Sequence, residues 1–390
     1  MKIFYINNFL NEYHGAAIHG RKLISALEKL GIKIITYPSI IFENELVFKN
    51  KIKDKLRNMF PLWIQEIFIY FKRKIIRRIE IKKIVKIVQK EKPDCILVRP
   101  SLCDEVSLLI KKNTPIPIIL EVNHPQYIEF FKHEKYRSAF NLIKNVEIKT
   151  WNNAEAVYVV SNVLKEIIKM NIENKDKKIW VIPNGVDFDA FKDINLGFHF
   201  KKKGIKEVSI GFIGSFHDYH DIDFLINIFI EVLNQRPNIK LILIGDGQYK
   251  DLVIKKVRDS NVPKDKIILY GRLIYSDMVS KLINDIDICV APFRCYKKFY
   301  FSPLKIFDYM AAGKAIITTE LGQIKEILTD GINAKLVKPG DDFGFISALI
   351  DLIDSHKVRT SLGYNARERV KDFTWHKVAN RLHNHFNTLI

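Results

Sequence analysis

The sequence predicts an α/β protein built from two doubly wound, Rossmann-like domains. Three observations carry this. At 390 residues the chain exceeds what one ordinary core holds. Short apolar strands alternate with amphipathic helical segments through both halves, the pattern of parallel sheets with right-handed crossovers. The alternation halts near residues 183–204 and then begins again.

Taken in order, Ile3–Ile6 reads as a short apolar strand and Ala17–Leu30 as a helix. Leu23, Ala26, Leu27 and Leu30 fall on its inner face, and Gly31 stands where a C-cap belongs. Lys33–Thr36 is the next strand. After a long basic insertion, Cys95–Val98, Pro117–Glu121 and Ala156–Val160 read as buried parallel strands. In the second half, Val208–Ile213 runs into Gly214, Phe224–Gln235 is an amphipathic helix, and Lys240–Ile244 ends at Gly245-Asp246-Gly247. Ile267–Tyr270, Ile288–Ala291 and Ala315–Thr318 complete the set. A last helical segment carries Trp375, Val378, Leu382 and Phe386 at helical spacing. The expected division is 1–190, 191–372 and a terminal helix over 373–390.

Composition narrows the classes. Hydrophobic residues make up 47 %, enough for sizeable cores and unlike a disordered chain. Asn7-Asn8 interrupt the first apolar run too soon for a signal peptide. The longest apolar stretch, Phe60 to Phe71, is too short for a membrane span and contains Gln65 and Glu66. A soluble or peripheral protein is expected. Cys95, Cys103, Cys289 and Cys295 show no CxxC spacing, which argues against a zinc site or disulfide framework and fits a reducing cytoplasm.

The formal charge is +19, and Lys49–Lys92 holds 15 basic residues against 4 acidic ones. Within it, residues 62–88 read as a basic amphipathic helix. Leu62, Trp63, Ile67, Phe68 and Phe71 supply apolar groups; Lys72, Arg73, Lys74, Arg77, Arg78, Lys82 and Lys83 supply cations. Two readings compete evenly: peripheral contact with an anionic membrane, at about 1 kcal/mol per cation, or a solvated face above a core-packed stripe. Nucleic acid is disfavoured, because no binding motif accompanies the charge.

Ligands of doubly wound sheets sit at the carboxyl ends of strands, and four segments fall there. His14-Gly15-Ala16-Ala17 offers close backbone approach to a phosphate at a helix start, or is a plain tight turn. His124 follows the Pro117–Glu121 strand, where a backbone-bonded histidine is the bland alternative. Gly214 and Ser215 offer backbone approach and a hydroxyl, with His217 and His220 nearby, in what is otherwise an ordinary loop. In Ser302-Pro303-Leu304-Lys305, Ser302 suits an N-cap and Pro303 a first helical position. The amides of Leu304 and Lys305 would then hold a diphosphate, Lys305 would add charge, and Asp308 would accept two hydroxyls of a ribose. The alternative is a capped helix with a solvated Asp308.

Together with Ala154–Ser161, Val181–Asp187, Leu243–Gly247, the Ser302–Gly313 block and Phe373-Thr374-Trp375, these segments resemble the GT-B fold retaining glycosyltransferases of glycosyltransferase family 4. The resemblance spans nearly the whole chain. It implies that the final helix crosses back onto the N-terminal domain, that Gly15 contacts the donor phosphates and that His124 faces the transferred sugar. It places Gly214, Ser215, His220, Ser302, Pro303, Leu304 and Lys305 on the diphosphate and Asp308 on the ribose, with His124 and Asp308 as the catalytic pair. It implies no metal and no cofactor beyond the nucleotide-sugar co-substrate. The implied reaction is hexose transfer with retention to a saccharide or lipid-linked acceptor. The implied setting is bacterial cell-surface polysaccharide biosynthesis, in the cytoplasm or at the inner face of the membrane.

Four positions depart from the family pattern. Ser215 and His220 stand where Arg and Lys are usual, and His220 replaces that charge only when protonated. Tyr300 stands where the first of two paired acids is usual, and Ala16 where a second glycine is common. These departures keep open a nucleotide-sugar-binding partner with little activity, and a GT-B epimerase acting on the nucleotide-sugar. A dinucleotide oxidoreductase is disfavoured, since no GxGxxG follows the first strand.

Overall fold

The computed structural model describes residues 1–12, 15–38, 62–130, 139–192, 207–293 and 299–390; within it the side chains of 62–66 and 69 are not described. The chain divides into two compact units, Met1–Pro183 with Trp375–Ile390, and Asn184–Thr374.

The first unit runs β1 (Lys2–Asn7), α1 (Gly15–Glu28), β2 (Lys33–Tyr37), α2 (Leu62–Glu91), β3 (Cys95–Arg99), α3 (Val106–Lys111), β4 (Ile118–Val122), α4 (Gln126–Phe130), α5 (Phe140–Asn153), β5 (Ala156–Val159), α6 (Asn162–Asn171) and β6 (Lys178–Val181). Its six strands are parallel in the order β2-β1-β3-β4-β5-β6. Helices cover both faces, so β3, β4 and β5 are buried along their whole length. That is why they read as apolar runs, with Arg99 at the end of β3 and Glu121 inside β4 as the charged exceptions. Gly31 takes φ +78 just after α1, a left-handed turn that a glycine adopts without steric penalty.

The second unit runs β7 (Val208–Ile213), α7 (Ile222–Gln235), β8 (Ile239–Ile244), α8 (Lys250–Asp259), β9 (Ile267–Gly271), α9 (Tyr275–Asn284), β10 (Ile288–Ala291), α10 (Leu304–Ala311), β11 (Ala315–Thr319), α11 (Ile324–Ile327), β12 (Lys335–Val337), α12 (Asp342–Asp354) and α13 (His356–Val370). Its sheet is also parallel, in the order β12-β11-β10-β7-β8-β9. Alternate residues feed two core layers. Phe212, Leu241 and Leu243 pack with Leu225, Phe229 and Leu349, while Ile242, Ile244 and Cys289 pack with Leu282, Ile306 and Met310.

The last helix, α14 (Trp375–Asn387), belongs to the first unit. Trp375 meets His19 of α1 edge-on at 5.2 Å, and His385 stacks on Trp180 at 4.7 Å. The expected fold class is therefore present, terminal helix included. β6 and β12 are additions: each opens on a lysine and spans 4 and 3 residues, too short for a periodic signal. In each sheet the strand order reverses at one point, between β1 and β3 in the first unit and between β7 and β10 in the second. Those reversals open the crevices where such sheets take ligands.

Candidate functional site

In the second unit the reversal between β7 and β10 brings two predicted segments together. The loop after β7 carries Gly214, Ser215 and His220, and the chain after β10 leads into α10. Gly214 has φ +146 and donates its N–H to the Ile244 carbonyl at 2.9 Å. A Cβ there would fall 2.5 Å from Lys305 Nζ. Gly245, with φ +157, would place a Cβ 1.9 Å from the Gly214 carbonyl oxygen. At Gly245 backbone lies on backbone, while at Gly214 the positive φ and the Lys305 side chain together favour glycine.

Helix α10 is fixed at two points. The Tyr309 hydroxyl accepts the Ile213 N–H at 2.8 Å, tying the helix to the last residue of β7. Asn184 holds the other end: its side-chain amide donates to the Ser302 carbonyl at 2.6 Å, and its backbone N–H donates to Ser302 Oγ at 3.0 Å. This corrects the expected cap. The helix starts at Leu304, and Pro303 occupies the cap position with φ −71 and ψ 112 and no side-chain cap bond. The Ser302 hydroxyl already accepts from a buried amide, so it does not serve the helix. The first-turn N–H groups of Leu304 and Lys305 have no carbonyl one turn behind them, as at any helix start, and the helix dipole adds partial positive charge there.

Lys305 sits in that first turn, only 9 % exposed. Among the described residues its Nζ has no hydrogen-bond partner. It lies 3.9 Å from the centroid of the Phe212 ring and 5.8 Å from that of Phe293. Burial pushes its pKa well below the usual lysine value. His220 is also buried, with Nδ1 2.5 Å from the Ser215 carbonyl. Burial, then the nearby Lys305, push His220 well below its ordinary pKa, opposed by that bond. The imidazole is thus neutral and donates to Ser215. The basic side chain beside Gly214 is Lys305, not the protonated His220 that the sequence invited.

Asp308, one turn along α10 and half-buried, accepts from the Tyr275 hydroxyl at 3.1 Å. Burial and then the Asp308 charge drive the Tyr275 pKa up. Tyr300 is only 4 % exposed and packs on the Phe301 ring at 4.6 Å. A buried aromatic therefore stands where a paired acid was sought.

In the first unit, Gly15 opens α1 and is exposed, while His14 lies outside the described residues. Arg99 donates to the Ala16 carbonyl at 3.1 Å and pairs with Glu121 at 3.2 Å. The fully buried Glu121 also meets His19 Nε2 at 2.9 Å and accepts from the Tyr5 hydroxyl at 2.5 Å and Asn123 at 3.2 Å. Burial alone would raise its pKa; His19 and Arg99 outweigh that and hold it at about 2. His124, half-buried, borders a small pocket with Arg99, Glu121, Gln126 and Glu147. Glu147 accepts the N–H groups of Gln126 at 2.9 Å and Tyr127 at 3.0 Å, holding the start of α4 just after His124-Pro125. Burial raises its pKa to about 7 against those two bonds.

Sequence reasoning missed Asn184, Glu121 and Glu147 as positioning groups. A carboxylate inside an apolar strand, and another at a core-spaced helix position, were the available signals.

Two family descriptions match the chain: Glycosyltransferase Family 4 over residues 13–190, and Glycosyl transferases group 1 over residues 207–355. An uncharacterized glycosyltransferase of Methanocaldococcus jannaschii is 26 % identical over 391 residues, covering 97 % of this chain and 95 % of its own. The phosphatidyl-myo-inositol mannosyltransferase of Mycolicibacterium smegmatis is 23 % identical over 209 residues, 53 % of this chain and 51 % of its own. Among solved structures, Anabaena HepE in complex with UDP and glucose superposes with a TM-score of 0.70 at 15 % identity, covering 99 % of both chains. Sucrose-phosphate synthase of Thermosynechococcus elongatus gives 0.73 at 16 %, covering 100 % of this chain and 99 % of that one. Matched in both halves at the level of sequence and sharing the GT-B architecture, the chain belongs to glycosyltransferase family 4.

Proposed function

We propose that this glycosyltransferase moves a hexose, with retention, from a nucleotide-diphosphate sugar to a saccharide or lipid-linked acceptor, without a metal, in bacterial cell-surface polysaccharide biosynthesis. The observation that carries the donor assignment is the buried Lys305 amine in the first turn of α10, beside Gly214 and without a hydrogen-bond partner among the described residues. Departure of a nucleoside diphosphate develops negative charge. Fixed amides and a desolvated cation aimed at it stabilise the transition state more than the ground state.

In this reading the amides of Leu304 and Lys305 and the Lys305 amine take the diphosphate, with Gly214 and Ser215 lending backbone approach. Ser302 and Pro303 shape the turn, and His220 orients Ser215. Asp308, steadied by Tyr275, takes the ribose diol. Gly15 is assigned to the donor phosphates and His124 to the transferred sugar by resemblance. No protein nucleophile is nominated; the departing phosphate assists attack on the same face. Several similar proteins carry names that support the substrate classes: HepE is described with UDP-glucose, and TarM of S. aureus with UDP and α-GlcNAc-glycerol.

The test is transfer from a panel of UDP- and GDP-sugars, with and without EDTA, comparing the native chain with Asp308→Ala and His124→Ala. The proposal expects EDTA-insensitive turnover, an axial anomer from an axial donor, and large losses in both variants. Undiminished turnover in both variants would remove the site assignment. The buried Tyr300 and neutral His220 favour one other reading, a nucleotide-sugar-binding partner with little activity. Tight donor binding with no turnover, even with membrane extract supplying acceptors, would select it.

A further inference from the structure

Helix α2 spans 30 residues and has two opposite faces. Tyr70, Arg77, Ile84 and Val88 are buried, at intervals that return to one side of a helix. Cations on or near this side are engaged inward. Arg77 donates to Ser101 Oγ at 2.8 Å and lies 3.4 Å from Asp104, Arg73 donates to the Leu102 carbonyl at 3.2 Å, and Lys74 pairs with Glu105 at 3.6 Å. The sequence grouped Arg73, Lys74 and Arg77 with an outward basic surface; the structure uses them to fasten the helix. Of the predicted apolar groups, the side chains of Leu62 and Trp63 lie outside the described set.

The opposite face is apolar where solvent is expected. Phe68 is 64 %, Phe71 53 %, Ile75 60 % and Ile79 63 % exposed. Their spacing of three, four and four residues draws one stripe diametrically opposite the buried side. Exposed Lys72, Arg78 and Lys83 flank it, and Lys82 and Lys86 continue it toward the end of the helix. Among the described side chains of α2, no acid lies on this face; Glu80 is turned to Arg77.

We propose that this outward face is a docking surface for anionic lipid bilayers, with the helix lying along the interface. Phe68, Phe71, Ile75 and Ile79 enter the headgroup–acyl boundary while the flanking cations meet the headgroups. An apolar ridge bordered by charge of one sign is the pattern such interfacial helices show. A second copy of the chain would set the same cations against each other, and nucleic acid would leave the ridge exposed to water. The surface involves none of the donor-site residues, so its test reads lipid binding rather than turnover.

The experiment is sedimentation of the full chain with phosphatidylcholine vesicles and with vesicles containing phosphatidylglycerol, over a range of salt. Three proteins are compared with the native one: Phe71→Ser/Ile75→Ser, Lys72→Glu/Arg78→Glu/Lys83→Glu, and the exposed control Lys357→Glu. Circular dichroism checks their folds. The native chain and the control are expected to bind the anionic vesicles and retain a bound fraction at high salt. The charge variant should lose about 100-fold or more in partitioning, and the serine variant should lose the salt-resistant fraction. Equal binding by all four proteins, or no sedimentation of the native chain with anionic vesicles, would overturn the proposal. So would a native dimer that the serine variant converts to a monomer without any lipid binding.

Discussion

Replacing Lys305 by Met separates a functional amine from a structural one. Nζ is buried without a hydrogen-bond partner among the described residues and lies 3.9 Å from the Phe212 centroid. An unsatisfied buried donor costs about 1–3 kcal/mol, and attraction to the ring returns about 0.5–2 kcal/mol. Met fills the same space without that cost, so the variant should be as stable or more stable, by about 1 kcal/mol. In a unit of this size that raises Tm by about 2–4 °C. Binding should move the other way. A hydrogen bond to a charged group contributes about 1.5–3 kcal/mol, so affinity for a nucleoside diphosphate should fall about 10- to 150-fold. The sign of the pH effect follows. Burial lowers the free Lys305 pKa, and a diphosphate would raise it again, so binding takes up protons and weakens as pH rises through the free value. The methionine variant should lose that dependence. Calorimetry in buffers of different ionisation enthalpy, with thermal melts, reads all three effects. A variant that melts lower and binds nucleotide as tightly as the native chain would show that the amine is structural and does not hold the diphosphate.

Three further predictions concern the groups that hold the loops. Asn184→Ala leaves the Ser302 carbonyl without its 2.6 Å donor, which should cost about 1–3 kcal/mol in denaturant unfolding and weaken nucleotide binding; unchanged binding would separate this contact from the site. Glu147, raised by burial from 4.5 to about 7, contributes its stability below pH 4.5 and loses it as pH rises through 7. Unfolding of Glu147→Gln between pH 4 and 8 should therefore gain on the native chain by about 3 kcal/mol, and a flat difference would contradict the assignment. Glu121, held at about 2, has the opposite sign: its contribution is full above pH 4.5 and lost as pH falls toward 2. Glu121→Gln should cost about 3–5 kcal/mol at neutral pH, because Arg99 then faces no charge, with the gap closing in acid.

Both sheets were legible because strands buried on two faces carry continuous apolar runs, as Cys95–Val98 and Leu241–Ile244 do. The edge strands Lys178–Val181 and Lys335–Val337 were not, being short and opening on lysine. The placement of Gly214 and Lys305 at the carboxyl ends of strands was readable from the alternation, whereas the strand-order reversal between β7 and β10 came only with the sheet. Their mutual contact was not, since it depends on how α10 docks against β7 through Tyr309. The Ser302 cap failed for a related reason: capping rules weigh neighbours in sequence, whereas the hydroxyl's donor is Asn184, 118 residues away. Helix α2 shows the same limit. Its periodicity marked a helix, but only packing shows that Arg77 points to Ser101 and Asp104 while Ile75 and Ile79 face outward.

A crystal structure with an intact nucleotide-sugar would show where the donor diphosphate sits. Phosphate oxygens should lie within hydrogen-bond reach of the Leu304 and Lys305 amides and of Lys305 Nζ, with the ribose hydroxyls on Asp308. A nucleotide bound elsewhere, with Lys305 untouched, would contradict this seat.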